Sequence, residues 1–297
     1  MIDLSPLGTE RRNERTLALD TMPVPDLLRA MNDEDHRVPD AVRRAIPRIA
    51  QAVERVAAAL QDGGRLVYLG AGTSGRLGVL DAVECPPTFG TDPGLVVGLI
   101  AGGERAFVRA VEGAEDDPGL AATELDAIGL SRHDAVVGIA ASGRTPYVIG
   151  GLDHARSVGA ATISLACNRG AEISDHAEVA IEVDNGPEVL TGSTRLKAGT
   201  SQKLVLNMIS TAAMVRIGKV YGNLMVDVRP TNEKLRARAE RIVLDATGCT
   251  PEQAHDAYLA ADGHAKTAIV MILAEVGATE ARARLRSARG FVRDAIG

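Results

Sequence analysis

The stretch Arg65-Leu66-Val67-Tyr68-Leu69-Gly70-Ala71-Gly72-Thr73-Ser74-Gly75-Arg76 decides how the chain is read. Leu66 to Leu69 is a short apolar run, the pattern of a parallel strand buried on both faces. It passes straight into glycines and two hydroxyls. An apolar periodic segment, Leu77–Val83, follows as a predicted helix. Strand, glycine turn and helix, in that order, make an anion site. Glycines such as Gly72 let the backbone approach a ligand, and free N–H groups at the helix start point outward. Thr73 and Ser74 either add hydroxyl donors or supply a helix cap. The spacing misplaces the third glycine of a dinucleotide fingerprint, and no Gly-Lys-Ser/Thr follows. A phosphate cradle and a plain structural turn remain open on this stretch alone.

Working outward, four more apolar runs read as strands: Leu95–Ile100, Ala135–Ala140, Ala161–Leu165 and Val179–Val183. Predicted helices fill the gaps at Glu104–Val111, Gly119–Ala127 and Pro146–Ser157. The expected fold is α/β: three layers, with a five-stranded parallel sheet covered on both faces. Ligands of such sheets sit beyond the C-terminal strand ends. The third strand exits into Ala141-Ser142-Gly143-Arg144-Thr145-Pro146 and then a helix. This second hydroxyl and glycine turn, with Ser142, Gly143 and Thr145, strengthens the phosphate reading.

Upstream, Met1 to about Asp40 is polar and broken by prolines, with a short helix over Pro25–Met31. A longer helix covers Ala41–Leu60, either kinked at Pro47 or beginning there. Downstream, Asn185–Lys197 leads into a long helix through Met214 to Val220. Glu188, Ser193 and Thr194 read equally as ligand contacts or as a solvated charge and a cap, with Ser193 or Thr194 the expected N-cap. After Pro230 no strand signal remains. Helices are predicted at Glu233–Ala246, Pro251–Ala260, His264–Ala274 and Thr279–Ile296, with Thr250 as a cap and Pro251 at the first position. The expected division is therefore residues 1–230 and a small helical bundle, 231–297.

Composition limits the function classes. The chain has 297 residues, 45% hydrophobic, 2% aromatic and without tryptophan. So few aromatics argue against base-stacking platforms for nucleic acid. A net charge of -6 without a basic tract argues against phosphate-backbone or anionic-membrane partners. There is no signal-peptide pattern and no apolar run of membrane-span length. Three dispersed cysteines and six scattered histidines suggest neither a disulfide framework nor a metal site. The expectation is a cytoplasmic enzyme or binding protein without metal.

Two glutamates are candidate reactive groups. Glu84 precedes Pro86 and Pro87, which are expected to end the helix after the glycine turn. Glu115 lies in the acidic cluster Glu112-Gly113-Ala114-Glu115-Asp116, expected at the end of the next helix. A helix C-terminus disfavours negative charge, which favours the protonated carboxyl that a general acid needs. Glutamates at helix ends are also commonly just solvated, and both readings stay open here.

The two strand-exit turns resemble those of the sugar isomerase (SIS) domain. The longer runs Gly70–Pro87, Gly94–Gly103, Glu112–Asp116 and Glu188–Thr200, with Thr9-Glu10-Arg11-Arg12-Asn13, are similar to the N-acetylmuramic acid 6-phosphate etherase family. The resemblance covers nearly the whole chain, including a tail similar to a ubiquitin-associated (UBA-like) three-helix domain. It implies cleavage of the D-lactyl ether of N-acetylmuramic acid 6-phosphate to N-acetylglucosamine 6-phosphate and D-lactate, by elimination and hydration, in cell-wall sugar recycling. It implies Glu84 as proton donor to the lactate oxygen and Glu115 as the second catalytic group. Gly72, Thr73, Ser74, Ser142, Gly143 and Thr145 would hold the phosphate. Glu188, Ser193 and Thr194 would line the sugar. No cofactor is implied, and a homodimer is. The rival readings are a sugar-phosphate isomerase and a non-catalytic sugar-phosphate sensor.

Overall fold

A computed structural model describes residues 7–109, 111–230 and 233–297. The elements in chain order are α1 (Val24–Asp35), α2 (Val38–Gln61), β1 (Leu66–Gly70), α3 (Gly72–Phe89), β2 (Val96–Ile100) and α4 (Glu104–Val108). Then come α5 (Pro118–Ala127), β3 (Ala135–Ala140), α6 (Pro146–Val158), β4 (Ala161–Ala166), β5 (Val179–Glu182) and α7 (Lys197–Arg216). The tail holds α8 (Glu233–Thr247), α9 (Pro251–Ala260), α10 (Ala265–Leu273), α11 (Ala278–Ser287) and α12 (Val292–Ile296).

The five strands form one parallel sheet in the order β2-β1-β3-β4-β5. β1, β3 and nearly all of β4 are buried on both faces, which is why they read as unbroken apolar runs. On one face Val67, Leu69 and Val136 pack with Leu125, Val148 and Leu152 of α5 and α6. On the other, α3 lies so close that a Cβ on Gly78 would stand 2.9 Å from that of Tyr68, and one on Gly98 of β2 would stand 2.6 Å from the Cα of Val79. The α/β/α layering expected from the sequence is the one observed.

The chain winds outward from β1 in both directions, to β2 on one side and to β3 on the other. The C-terminal ends of β1 and β3 are therefore adjacent at the point where the strand order reverses, the usual place for a ligand crevice. Both glycine and hydroxyl turns leave the sheet there.

Several elements differ from their expected bounds. α2 is continuous from Val38 to Gln61 and simply carries Pro47 inside it. α3 begins on the glycine turn itself and runs through Pro86 and Pro87 to Phe89. Two prolines remove the N–H groups that would bond the carbonyls of Ala82 and Val83, yet the helix persists. Its last turn is held by packing, with Cys85 and Phe89 buried. α4 is shorter than expected, ending at Val108 with Arg109 extended. The helix expected over Glu104–Val111 includes Ala110, which lies outside the described residues.

The chain divides into two compact units. One comprises the described residues up to Val83 together with Gly94–Ser210; the other comprises Glu84–Pro93 with Thr211–Gly297. The boundary read from the sequence, 230/231, marks a local break at Pro230 and not a change of core. Val226 and Val228 already belong to the tail's apolar cluster, with Ile242, Val243, Tyr258 and Ile269. In that unit Asp227 is buried against Lys266 (2.6 Å) and Lys219 (3.3 Å). Thr250 and Gln253 form a reciprocal capping box at the start of α9, with Pro251 at the first helical position. The last predicted helix is two, α11 and α12, broken at Arg289, whose φ is +51°.

Candidate active site

The first turn of α3 is built for close approach. A Cβ on Gly75 would lie 2.5 Å from the Gly70 oxygen, and one on Gly70 would lie 2.8 Å from the Gly75 nitrogen. Gly72 has φ +54° and open space where a side chain would go. The first intrahelical bond runs from the Gly75 N–H to the Ala71 carbonyl. The N–H groups of Gly72, Thr73 and Ser74 therefore precede the helical ladder, at the positive end of the helix dipole. Thr73 and Ser74 lie inside the first turn and are not its cap.

The second turn is held from three sides. Gly143 has φ +78°, and a Cβ there would collide with that of Ala171 at 2.4 Å. The Ile173 N–H donates to the Gly143 carbonyl at 2.9 Å. The Arg144 N–H donates to Ser142 Oγ at 3.3 Å. Thr145 occupies the N-cap of α6, with Pro146 in the first turn, but its hydroxyl makes no cap bond and the side chain stays half-buried. Asn168, just beyond β4, ties this turn to the start of the chain. Its Nδ2 donates to the carbonyls of Ala141 and Ser142 and to Thr9 Oγ1, and its Oδ1 accepts the Thr9 N–H.

A cavity of about 220 Å³ opens beside the first turn, lined by Gly72, Arg76, Ala106, Val111, Glu112 and Glu115 among others. Arg76 fixes its wall by donating to the carbonyls of Ala106 (2.8 Å) and Phe107 (2.9 Å), the last turn of α4. Glu115 lies on a separate 3-10 turn, Ala114–Asp116, entered through Gly113 at φ +75°. It is exposed and shares the cavity with Gly72. The expectation that it ends a helix does not hold; a tight turn presents it instead.

Glu84 is placed differently. It is exposed on α3, inside the helix and not at a break. It follows Ser74 by ten residues in sequence and belongs to the other compact unit.

Glu188 is almost fully buried, 1% exposed. Its two carboxylate oxygens accept the N–H groups of Lys197 (3.1 Å) and Ala198 (2.9 Å), so it caps α7 from outside the helix. Burial raises its carboxyl above the ordinary range, and the two N–H bonds oppose that only in part. The expected cap from Ser193 or Thr194 is not formed, because α7 starts later, at Lys197. Thr194 stays near the cradle: a Cβ on Gly199 would stand 3.5 Å from the Thr194 oxygen and 3.6 Å from Thr73 Cγ2. Lys197 bonds Glu34 at 2.5 Å, both 1% exposed. Burial alone would raise the Glu34 carboxyl, but Lys197 and Arg37 hold it below its ordinary value.

Three partners of the site were not singled out from sequence. Gln202 of α7 accepts the Ser74 hydroxyl at 3.1 Å. Asp81 of α3 accepts Tyr68 Oη (2.7 Å), Asn207 Nδ2 (2.5 Å) and Ser210 Oγ (3.2 Å). Asn168 offered a signal, being a polar residue followed by Gly170 at a strand exit. Gln202 and Asp81 offered none, since only tertiary packing gives them partners.

Residues 121–212 match the SIS domain family, and residues 48–156 match the family described as glucokinase regulatory protein N-terminal SIS domain. The chain is 65% identical over 296 residues to N-acetylmuramic acid 6-phosphate etherase of Mycolicibacterium smegmatis, covering 100% of this chain and 99% of that one. It is 62% identical over 293 residues to the protein of the same name from Exiguobacterium sp., covering 99% and 100%. Among solved structures, a phosphoheptose isomerase from Francisella tularensis aligns with TM-score 0.54 at 18% identity, over 65% of this chain and 100% of that one. The phosphoheptose isomerase of Neisseria gonorrhoeae gives 0.51 at 18%, over 64% and 98%. At such identity the two isomerases share the fold alone.

Proposed function

This chain belongs to the N-acetylmuramic acid 6-phosphate etherase family, and from that premise we propose how its own residues perform the reaction. The enzyme cleaves the D-lactyl ether of N-acetylmuramic acid 6-phosphate with water, giving N-acetylglucosamine 6-phosphate and D-lactate, in the recycling of cell-wall amino sugars. The observation that carries the site assignment is the cavity in which Glu115 and the first turn of α3 meet.

The phosphoryl group is held by the free N–H groups at the start of α3, with Thr73 and Ser74, and by Ser142, Gly143 and Thr145 from the neighbouring strand end. Opening of the sugar ring exposes an aldehyde and acidifies the C2 hydrogen. Glu115 removes that proton. The electron pair forms the C2–C3 double bond, and the C3–O bond to lactate breaks. The leaving oxygen takes a proton from a carboxylic acid, and water then adds across the double bond at C3. Glu84 is that acid.

Glu84 is exposed on α3 and so open to a second copy of the chain; it serves the cradle of that copy, and the working unit is a homodimer. Glu188 shapes the sugar side of the site by fixing the start of α7 beside Ser193 and Thr194. No described helix is long and apolar enough to cross a membrane, and among the described residues no disulfide joins the three cysteines; we place the enzyme in the cytoplasm.

The test is D-lactate release from N-acetylmuramic acid 6-phosphate. In deuterated water the product should carry deuterium at C2. Glu115→Gln should suppress both readouts while inorganic phosphate still binds. Isomerisation of the sugar without lactate, or binding without any product, would refute the assignment.

A further inference from the structure

Gln202 is wholly buried. Its Oε1 accepts the Ser74 hydroxyl, while its Nε2 finds no partner in the protein among the described residues. An amide group left so is unusual, because buried N–H donors are nearly always matched. In this orientation the Ser74 hydroxyl hydrogen also points inward, at Gln202, and is lost to any ligand. An amide side chain has a second orientation, with O and N exchanged. Nε2 then donates to Ser74 Oγ, and the hydroxyl hydrogen is released to point outward. Without a ligand, the first leaves two N–H groups unmatched, and the second leaves one N–H, one carbonyl and the released hydroxyl hydrogen, so the first is held until an acceptor arrives.

We propose that Gln202 is a positioning residue whose amide turns over when a phosphoryl oxygen arrives, so that Ser74 becomes a donor to it. The inference rests on the reading that the first turn of α3 holds the substrate phosphate. The phosphoryl oxygen accepts the released hydroxyl in a charge-assisted bond, which tips the balance. The free enzyme thus keeps its hydroxyl sheathed, and only an anionic acceptor draws it out.

The experiment compares wild type, Ser74→Ala, Gln202→Glu and the double variant. It measures KM and kcat for lactate release, and competitive inhibition by inorganic phosphate. A carboxylate at position 202 only accepts, so it pins the hydroxyl inward. Ser74→Ala and Gln202→Glu should each raise KM and the phosphate inhibition constant by about tenfold, the scale of one charge-assisted bond. kcat should change far less. The double variant should be no worse than either single one, since both remove the same bond. Gln202→Met, which cannot donate and accepts only weakly, should raise KM less than Gln202→Glu does, and thermal melting checks that each variant folds. Additive effects in the double variant, or equal effects of Met and Glu at 202, would overturn the role given to Gln202. So would a silent Gln202→Glu beside an impaired Ser74→Ala. A silent Ser74→Ala would instead overturn the underlying placement of the phosphate, and this inference with it.

Discussion

At the scale of single residues, side chains that resemble ligand contacts divide into two kinds. Glu188 spends both carboxylate oxygens on the start of α7, whereas the Thr145 hydroxyl makes no cap bond. Glu188→Ala should therefore lower unfolding stability by about 1–3 kcal/mol, because two N–H groups lose their acceptor in a dry setting. Urea unfolding at neutral pH measures this, and an unchanged midpoint would deny the cap. The sequence left cap and ligand equally open for this glutamate. Nothing local distinguishes them, since the N–H groups it meets lie nine and ten positions further on. The strand-to-helix turn that holds Ser74 was legible, because glycines and hydroxyls directly after an apolar run signal such a turn locally. Gln202, the partner of Ser74 128 positions away, was not.

At the scale of elements, the start of α3 depends on backbone meeting backbone. A methyl on Gly75 would stand 2.5 Å from the Gly70 oxygen and 2.7 Å from Ile100 Cγ1. Gly75→Ala should push the first turn off the end of β1, weakening phosphate inhibition of lactate release by tenfold or more, about the worth of one or two hydrogen bonds. Gly94→Ala, where nothing lies within 4 Å, should be silent and serves as the control. All five strands were legible within about one residue at either end; β1, β3 and nearly all of β4, buried on both faces, leave unbroken apolar runs. The end of α3 was not. A Pro-Pro pair normally closes a helix, and only the burial of Cys85 and Phe89 shows why this one continues. The same shortfall hid the turn that presents Glu115, since a five-residue helix and a 3-10 turn leave no periodic signal.

At the scale of the whole molecule, the proposed division of labour between Glu84 and Glu115 is tested by mixing. Glu84→Ala and Glu115→Gln should each be inactive alone. Co-produced, they should recover about a quarter of wild-type lactate release, since half of randomly paired dimers are mixed and each holds one complete site. No recovery in demonstrated heterodimers would place both glutamates of a site on one chain. Acid stability follows from the buried charges. Glu34, Asp134 and Asp227 are held below their ordinary values: burial pushes each up, but Lys197 for Glu34, Arg65 for Asp134 and His264 with Lys266 for Asp227 outweigh it. Their stabilisation is complete above the ordinary carboxylate range and is lost as pH falls through the lowered values. Burial raises Glu124 and Glu188, and these act oppositely, so stability falls as pH climbs from their ordinary to their raised values. Unfolding free energy should therefore rise slightly on acidification from neutrality, then drop steeply below about pH 4. A monotonic fall from pH 7 would contradict this. One last consequence follows from the way the chain threads its two cores. Glu84–Pro93 belongs with the tail, anchored where Arg229 donates to the Gly90 carbonyl at 3.1 Å. A chain shortened to end at Ser210 would strand that decapeptide in mid-sequence, with the Cys85 thiol and the Phe89 ring uncovered. Such a truncation should react with thiol reagents at Cys85 and clump in solution, so the tail is no removable accessory.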